Sequence, residues 1–130
     1  MKPEHRELLE QLRPARRVLV VDDHPSFRRC ARRLLVAEGF EVVGEAADGE
    51  SALALSVELE PDLVLLDVQL PDIDGFEVTS RLLERDPRLE IVLVSSRDRM
   101  SYGPMIERSG ARGFISKDEL SGAELERLLE

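Results

Sequence analysis

Short hydrophobic runs recur along the chain and alternate with longer amphipathic segments. Three of the runs are continuously apolar: Val18–Val21, Leu63–Leu66 and Ile91–Val94. Such runs are typical of strands that are buried on both faces of a parallel sheet. Glu41–Ala46 and Ala111–Ser116 are interpreted as two further strands, so the pattern predicts five strands.

The segments between these runs have helical periodicity. Pro25 is a suitable first residue of a helix, and Gly39 is suited to end it. The apolar stripe of this first helix contains Phe27, Cys30, Ala31, Leu34 and Leu35. We expect Cys30 to be buried on that stripe as a small hydrophobic residue. Further helices are predicted over 50–59, 76–85 and 120–129, and one within 100–109 that Gly103-Pro104 interrupts.

Regular alternation of strands and helices predicts the α/β class. The expected architecture is a flavodoxin-like, doubly wound, five-stranded parallel sheet of order 2-1-3-4-5, with helices on both faces. This domain occupies 17–130. Residues 1–16 form a charged N-terminal extension, which we interpret as loosely ordered; the helical spacing of its leucines leaves a short helix as the alternative.

Charge and composition narrow the class of function. The 130 residues include 27 acidic and 18 basic ones, for a net charge of −9, which argues against nucleic acid binding and suits a cation site or a basic partner. One cysteine excludes an internal disulfide and fits a reduced cytosolic protein. No apolar stretch approaches the length of a membrane span, and the N-terminus lacks a signal peptide core. We therefore expect a cytoplasmic protein without membrane attachment.

Candidate chemistry follows the strands at their carboxyl ends. Asp22 and Asp23 follow the first strand, Asp67 ends the third, Ser95 ends the fourth, and Lys117 follows the fifth. In a doubly wound parallel sheet these ends share one edge, and ligands bind there at the switch point between strands one and three. The three aspartates are therefore expected to share one solvent-facing crevice.

Three neighbouring carboxylates repel one another unless they bind protons or a cation. A site of oxygen ligands without a Cys or His cluster favours Mg²⁺ over zinc; His24 is interpreted as part of a loop or a helix cap. An aspartate beside Mg²⁺ can act as a nucleophile toward phosphorus. Lys117 and Ser95 would then engage the oxygens of a phosphoryl group on Asp67.

Taken together, these residues resemble the response-regulator receiver family over about 17–129. The matching features are the acidic pair after Val18–Val21, the segment Leu65–Gly75 around Asp67, Ser95, and Gly113–Lys117 with an aromatic residue three positions before the lysine. The resemblance implies that a histidine kinase or phosphotransfer protein phosphorylates Asp67. It implies that Ser95 and Phe114 move together on phosphorylation. It also implies Mg²⁺ ligands at Asp22, Asp23, Asp67 and the backbone carbonyl of Gln69.

The resemblance further implies a signalling domain rather than an enzyme, with at most slow self-dephosphorylation. An unidentified downstream protein would read the altered surface, and a homodimer is left open. Glu45–Gly49 and the pair Lys117-Asp118 look like receivers that are joined to a helix-turn-helix output domain. The chain is then either a single-domain regulator or one piece of a longer protein.

Two rival functions use the same residues. A phosphatase of the haloacid dehalogenase type also forms an aspartyl-phosphate, but it needs an acid/base aspartate two residues after the nucleophile, where this chain has Gln69. A receiver-like module that is never phosphorylated would lack one or more site residues, and here each is present.

Overall fold

The computed structural model describes residues 15–130. Its five strands are β1 (Arg17–Val21), β2 (Glu41–Ala46), β3 (Leu63–Asp67), β4 (Glu90–Ser95) and β5 (Gly113–Ser116). Its five helices are α1 (Pro25–Ala37), α2 (Gly49–Leu59), α3 (Gly75–Arg85), α4 (Met105–Arg108) and α5 (Gly122–Leu129). The predicted N-terminal extension lies outside the described residues, apart from its last two positions.

The strands form one parallel sheet of order β2-β1-β3-β4-β5. This confirms the predicted fold class and strand order. The strand order reverses between β1 and β3, and both of these strands lie in the interior of the sheet. No helix in the part of the chain that the structure describes is both long and apolar enough to cross a membrane.

The alternation of side chains along each strand divides the core into two layers. On one face the sheet packs against α2, α3 and α4; the buried strand residues there include Leu19, Val21, Leu66 and Leu93. On the other face it packs against α1 and α5, with Val20, Leu65, Val94 and Ile115 among the buried residues. The central strands β1, β3 and β4 are buried on both faces, as their continuous apolar runs predict.

Helix α1 differs from its prediction at one residue. It begins at Pro25 and ends before Gly39, whose φ of 93° is the left-handed conformation that ends a helix. Cys30, however, is exposed, so the prediction of a buried thiol is wrong. The packing face is centred on Ala31 and Leu35, and Cys30 is rotated by about 100° from Ala31 on the helix surface.

The segment after β4 forms only one short α-helix. Arg99–Ser101 is a 3₁₀ turn, and α4 begins at Met105 after an intervening turn. Gly103 has a φ of 55°, and Pro104 has no backbone N–H to donate. These two residues prevent the continuous helix that the surrounding periodicity suggests.

Aspartates fix the starts of two helices. Asp74 is the N-cap of α3 and accepts the Glu77 amide. Asp72 lies in the loop after β3, but its carboxylate accepts the backbone N–H groups of Gly49 (2.8 Å) and Glu50 (2.9 Å) at the start of α2. The loop after β3 is therefore tied to the neighbouring helix.

Candidate functional site

The carboxyl ends of four strands place the candidate residues along one rim of the sheet. Asp67 is the last residue of β3 and pairs in register with Val94 of β4, next to Ser95. Ser95 in turn is in register with Ser116, the residue before Lys117. Asp22 follows Val21, which is in register with Leu66. The parallel register thus brings together residues that are far apart in the sequence.

An acidic pocket lies at the switch point between β1 and β3. One ligand atom from each of Asp22, Asp23, His24 and Asp67 lies within 4.8 Å of all the others. The Asp22 and Asp67 side chains are buried, whereas Asp23 is 37 % exposed and His24 is 65 % exposed. The pocket therefore has a buried acidic floor and a mouth formed by Asp23 and His24.

His24 contributes to this pocket as well as preceding α1. It occupies the N-cap position without a side-chain capping bond. Its Nδ1 lies 3.1 Å from Oδ1 of Asp22 and 3.1 Å from Oδ1 of Asp23. The sequence interpretation of His24 as a loop or cap residue describes its backbone but misses its ring, which faces both carboxylates.

Lys117 supplies the positive charge on the opposite side of the pocket. Its Nζ lies 2.5 Å from Oδ2 of Asp22 and donates a hydrogen bond of 3.3 Å to Oδ2 of Asp67. The same ammonium lies 4.6 Å from the centre of the Phe27 ring, a cation–π distance. Phe27 was not singled out in the sequence, because its place on the apolar stripe of α1 gives no sign of a contact with Lys117.

The Asp67 carboxylate is held at both oxygens. The Gln69 backbone N–H donates to Oδ1 at 3.0 Å, and Lys117 reaches Oδ2. Burial raises the pKa of Asp67 to about 6, and the neighbouring Asp22 charge adds to this, while Gln69 and Lys117 act in the opposite direction. The surroundings of Asp67 therefore favour its neutral form, and a cation bound beside it would favour the ionised form.

The residues fit a hard divalent cation. Two features of the structure support this. The donors are mainly carboxylate oxygens. Oδ2 of Asp22 is buried and accepts no hydrogen bond from residues 15–130, although the Lys117 ammonium is close to it. The structure brings Asp22, Asp23 and Asp67 together as expected. For Gln69 it is the backbone amide that contacts Asp67, so ligation by the Gln69 carbonyl stays a prediction.

The loop after β3 holds Asp67 in place through a close backbone approach. The Gly75 N–H donates to the Val68 carbonyl at 2.7 Å. A Cβ at position 75 would lie 2.5 Å from the Asp67 carbonyl oxygen and 2.7 Å from the Val68 Cα. Only glycine allows the start of α3 to lie this close to the end of β3.

Ser95 makes its hydrogen bonds away from the acidic pocket. Its Oγ lies 2.6 Å from Oη of Tyr102 and accepts the Arg97 backbone N–H at 3.1 Å. Among the described residues, its hydrogen bonds involve neither Asp67 nor Lys117. Tyr102 was not identified from the sequence. Its signal is weak, because it lies in the turn that Gly103 and Pro104 break rather than at a strand end.

Phe114 is connected to Ser95 through Tyr102. The Tyr102 ring lies 5.7 Å from the Phe114 ring and 5.6 Å from the Phe76 ring, measured between centroids. Phe114 itself is buried in the core layer under α2, α3 and α4. The two predicted switch residues are thus linked by a third aromatic residue that the sequence argument did not include.

One expectation about access is wrong. The expected crevice faces solvent, but the Asp67 side chain is only 3 % exposed. Lys117, itself 16 % exposed, lies against Oδ2 of Asp67. The ion pairs of Lys117 with Asp22 and Asp67 therefore cover the mouth of the pocket on the Lys117 side.

Comparison with known proteins places the chain in a well-populated group. Residues 18–130 match the family model of the response regulator receiver domain. The chain is 40 % identical over 115 residues to the response regulator GacA of Pseudomonas aeruginosa, covering 88 % of this chain and 52 % of that protein. It is 35 % identical over 102 residues to the transcriptional regulatory protein DegU of Brevibacillus brevis, covering 78 % of this chain and 43 % of that protein. It therefore spans about half the length of these curated relatives.

Solved structures show the same fold. A two-component response regulator of the LuxR family from Aurantimonas sp. superposes with a TM-score of 0.78 at 33 % identity, covering 88 % of this chain and 81 % of that one. The CheX–CheY–BeF₃–Mg²⁺ complex of Borrelia burgdorferi contains a chain that superposes with a TM-score of 0.81 at 27 % identity, covering 93 % of this chain and 90 % of that one.

Proposed function

Because the chain belongs to the response regulator receiver domain family, we propose that it accepts a phosphoryl group on Asp67 in a Mg²⁺-dependent reaction. The donor is a histidine kinase or a phosphotransfer protein. The observation that carries this assignment is the placement of Asp67 between the acidic pair and Lys117, at the switch point of the sheet.

Mg²⁺ would be held by Asp22, Asp23, Asp67 and the backbone carbonyl of Gln69. When bound, it supplies positive charge that reduces the repulsion between the Asp67 carboxylate and an anionic phosphoryl donor. The raised pKa of Asp67 supports this need for added positive charge. The BeF₃ and Mg²⁺ in the complex that contains the similar Borrelia chain agree with the same ligand chemistry.

Asp67 is the nucleophile in the phosphoryl transfer step. One Asp67 carboxylate oxygen forms a bond to phosphorus, the phosphorus–nitrogen bond of the donor phosphohistidine breaks, and the imidazole leaves as it takes up a proton. Lys117 moves from the carboxylates toward the phosphoryl oxygens, which opens access to the enclosed Asp67. Water later attacks the phosphorus of the acyl phosphate, the phosphorus–oxygen bond to Asp67 breaks, and inorganic phosphate leaves. This self-dephosphorylation is at most slow in the proposal, which makes the chain a signalling domain rather than an enzyme.

Ser95 and Phe114 translate the added charge into a changed surface around α4, β5 and α5. A downstream protein in the cytoplasm reads that surface. A second copy of this chain, forming a homodimer, is the alternative partner of that surface. The names of the relatives GacA and DegU, a response regulator and a transcriptional regulatory protein, suggest a transcriptional output.

Mass spectrometry after treatment with a small acyl-phosphate donor tests the assignment. We expect one added phosphoryl group in the presence of Mg²⁺, none in EDTA, and none in Asp67→Asn. Asp98→Asn is the matched control, since Asp98 is an exposed helix-capping aspartate outside the pocket. Equal labelling of Asp67→Asn and the wild type would place the acceptor elsewhere.

A further inference from the structure

The hydroxyl of Ser95 is already engaged in this structure. Its Oγ accepts the Arg97 N–H and shares a short hydrogen bond with the phenol of Tyr102. Ser95 is fully buried, so its hydroxyl must have a partner in every state of the protein. When Ser95 is the donor in its bond to Tyr102, a phosphoryl oxygen on Asp67 can accept from this hydroxyl only if that bond breaks.

We propose that Tyr102 is a positioning residue that holds the Ser95 hydroxyl away from Asp67 until phosphorylation. When the bond to Ser95 breaks, the Tyr102 ring shifts against Phe114. The proposal rests on the proposed phosphorylation of Asp67. In the resting state Ser95 donates to Tyr102. In the phosphorylated state Ser95 donates to a phosphoryl oxygen instead.

Breaking the hydrogen bond between Ser95 and Tyr102 costs little free energy at the tyrosine. Tyr102 is only partly buried, so its phenol can bond to water once Ser95 has left. The charged phosphoryl oxygen is also a stronger acceptor than a neutral phenol. The exchange therefore runs toward the phosphoryl group without leaving a buried polar atom unpaired.

The ring of Tyr102 supplies the connection to the core. It packs edge-on against Phe76 at the start of α3 and in a tilted contact against Phe114 of β5. Loss of its hydrogen bond to Ser95 frees the ring to shift against both phenylalanines. Tyr102 precedes Gly103 and Pro104, where the backbone already departs from a helix, so the movement does not have to break a regular element.

Beryllofluoride, which stands in for the phosphoryl group on Asp67, gives a direct test by titration with Mg²⁺ present. Tyr102→Phe keeps the aromatic packing and removes only the hydroxyl. We expect its apparent affinity for beryllofluoride to rise about fivefold, which is what one neutral hydrogen bond is worth. If Tyr102 instead donates to Ser95, the Ser95 proton is directed toward Asp67, and Tyr102→Phe lowers the affinity for beryllofluoride. A lower or an unchanged affinity therefore overturns the proposal.

A double-mutant cycle separates this coupling from general effects on packing. In a Ser95→Ala background the Tyr102→Phe substitution should change the affinity by less than a factor of two, because the shared bond is already absent. Ser56→Ala is the matched control: it removes a buried serine hydroxyl that bonds to the Leu53 carbonyl in α2, and it should leave the Tyr102→Phe effect intact. A Tyr102→Phe effect of the same size in the Ser95→Ala and Ser56→Ala backgrounds would contradict the proposal.

Tyr102 is also its own reporter, since the chain has one tyrosine and no tryptophan. We expect beryllofluoride and Mg²⁺ to alter tyrosine emission in the wild type and not in Asp67→Asn. Ser95→Ala without ligand should reproduce the altered spectrum. An unchanged spectrum in a wild type that binds beryllofluoride at Asp67 refutes the role of Tyr102 alone, whereas failure of the wild type to bind at all refutes the proposed function.

Discussion

The ammonium of Lys117 lies closer to Asp22 (2.5 Å to Oδ2) than to Asp67 (3.3 Å to Oδ2). Burial acts to lower the pKa of Lys117, but its contact with Asp22 and the charges of Asp67 and Asp22 raise it above its usual value. The lysine is thus firmly charged and serves as the counter-ion of the acidic pocket. To serve a phosphoryl group it must give up part of its contact with Asp22.

We predict that Lys117→Gln lowers the free energy of unfolding by about 3 kcal/mol in EDTA, because two buried carboxylates lose their counter-ion. Mg²⁺ should restore much of the loss, since it binds only the folded state. Urea denaturation with and without Mg²⁺ measures both effects. Arg127→Gln removes an exposed ion pair with Glu124 and should change stability little; equal losses for both variants would contradict a special position for Lys117.

Asp67→Asn should stabilise the cation-free protein at neutral pH. The pKa of Asp67 is raised to about 6 from 3.8, so the folded state holds the proton more tightly than the unfolded state does. The stabilising contribution of the neutral carboxyl is complete below about pH 4 and is lost as the pH rises through about 6.

The advantage of the asparagine variant should therefore grow between about pH 4 and about pH 6 and level off above, reaching about 1 to 3 kcal/mol. Urea unfolding in EDTA across this range measures it. Saturating Mg²⁺ should reduce or reverse the difference, because the wild type gains more from binding. A wild type more stable than the variant at neutral pH in EDTA would show that Lys117 outweighs burial.

Gly75→Ala should lower stability by about 2 kcal/mol and weaken Mg²⁺ binding, because the new Cβ meets backbone atoms of Asp67 and Val68. Gly122→Ala is the matched control at the first residue of another helix, where the Cβ meets only the end of the flexible Glu38 side chain. Thermal unfolding and a Mg²⁺ titration compare the two. Similar stability losses in both variants would indicate a general cost of replacing helix-starting glycines.

Asp72→Ala should loosen the start of α2. The carboxylate accepts two N–H groups there, which hold the pKa of Asp72 below its usual value. Its stabilisation is thus present above about pH 4 and is lost as the pH falls through the lowered pKa. Amide hydrogen exchange should accelerate at Gly49 and Glu50. The Glu77 amide, which Asp74 holds, should keep its protection as the control. Unchanged exchange at Gly49 would refute the role of Asp72 at the start of α2.

Local pattern predicts most of the fold. The apolar runs of β1, β3 and β4 are buried on both faces, and each is followed directly by a residue of the candidate site. Cys30 shows the limit of such reasoning: periodicity defines a stripe, but the centre of the packed face depends on where α1 lies against the sheet. A shift of one position on the helix is enough to expose the thiol.

The sequence by itself determined the parallel sheet and the rim on which Asp22, Asp67, Ser95 and Lys117 meet, because strand periodicity and strand-end position are local properties of the chain. Only the tertiary structure decided which groups those residues contact. Tyr102 binds Ser95, Phe27 lies against Lys117, and Asp72 accepts the first two N–H groups of α2. These contacts depend on loop paths and side-chain directions, which are set by packing between elements and leave no periodic signal in the sequence.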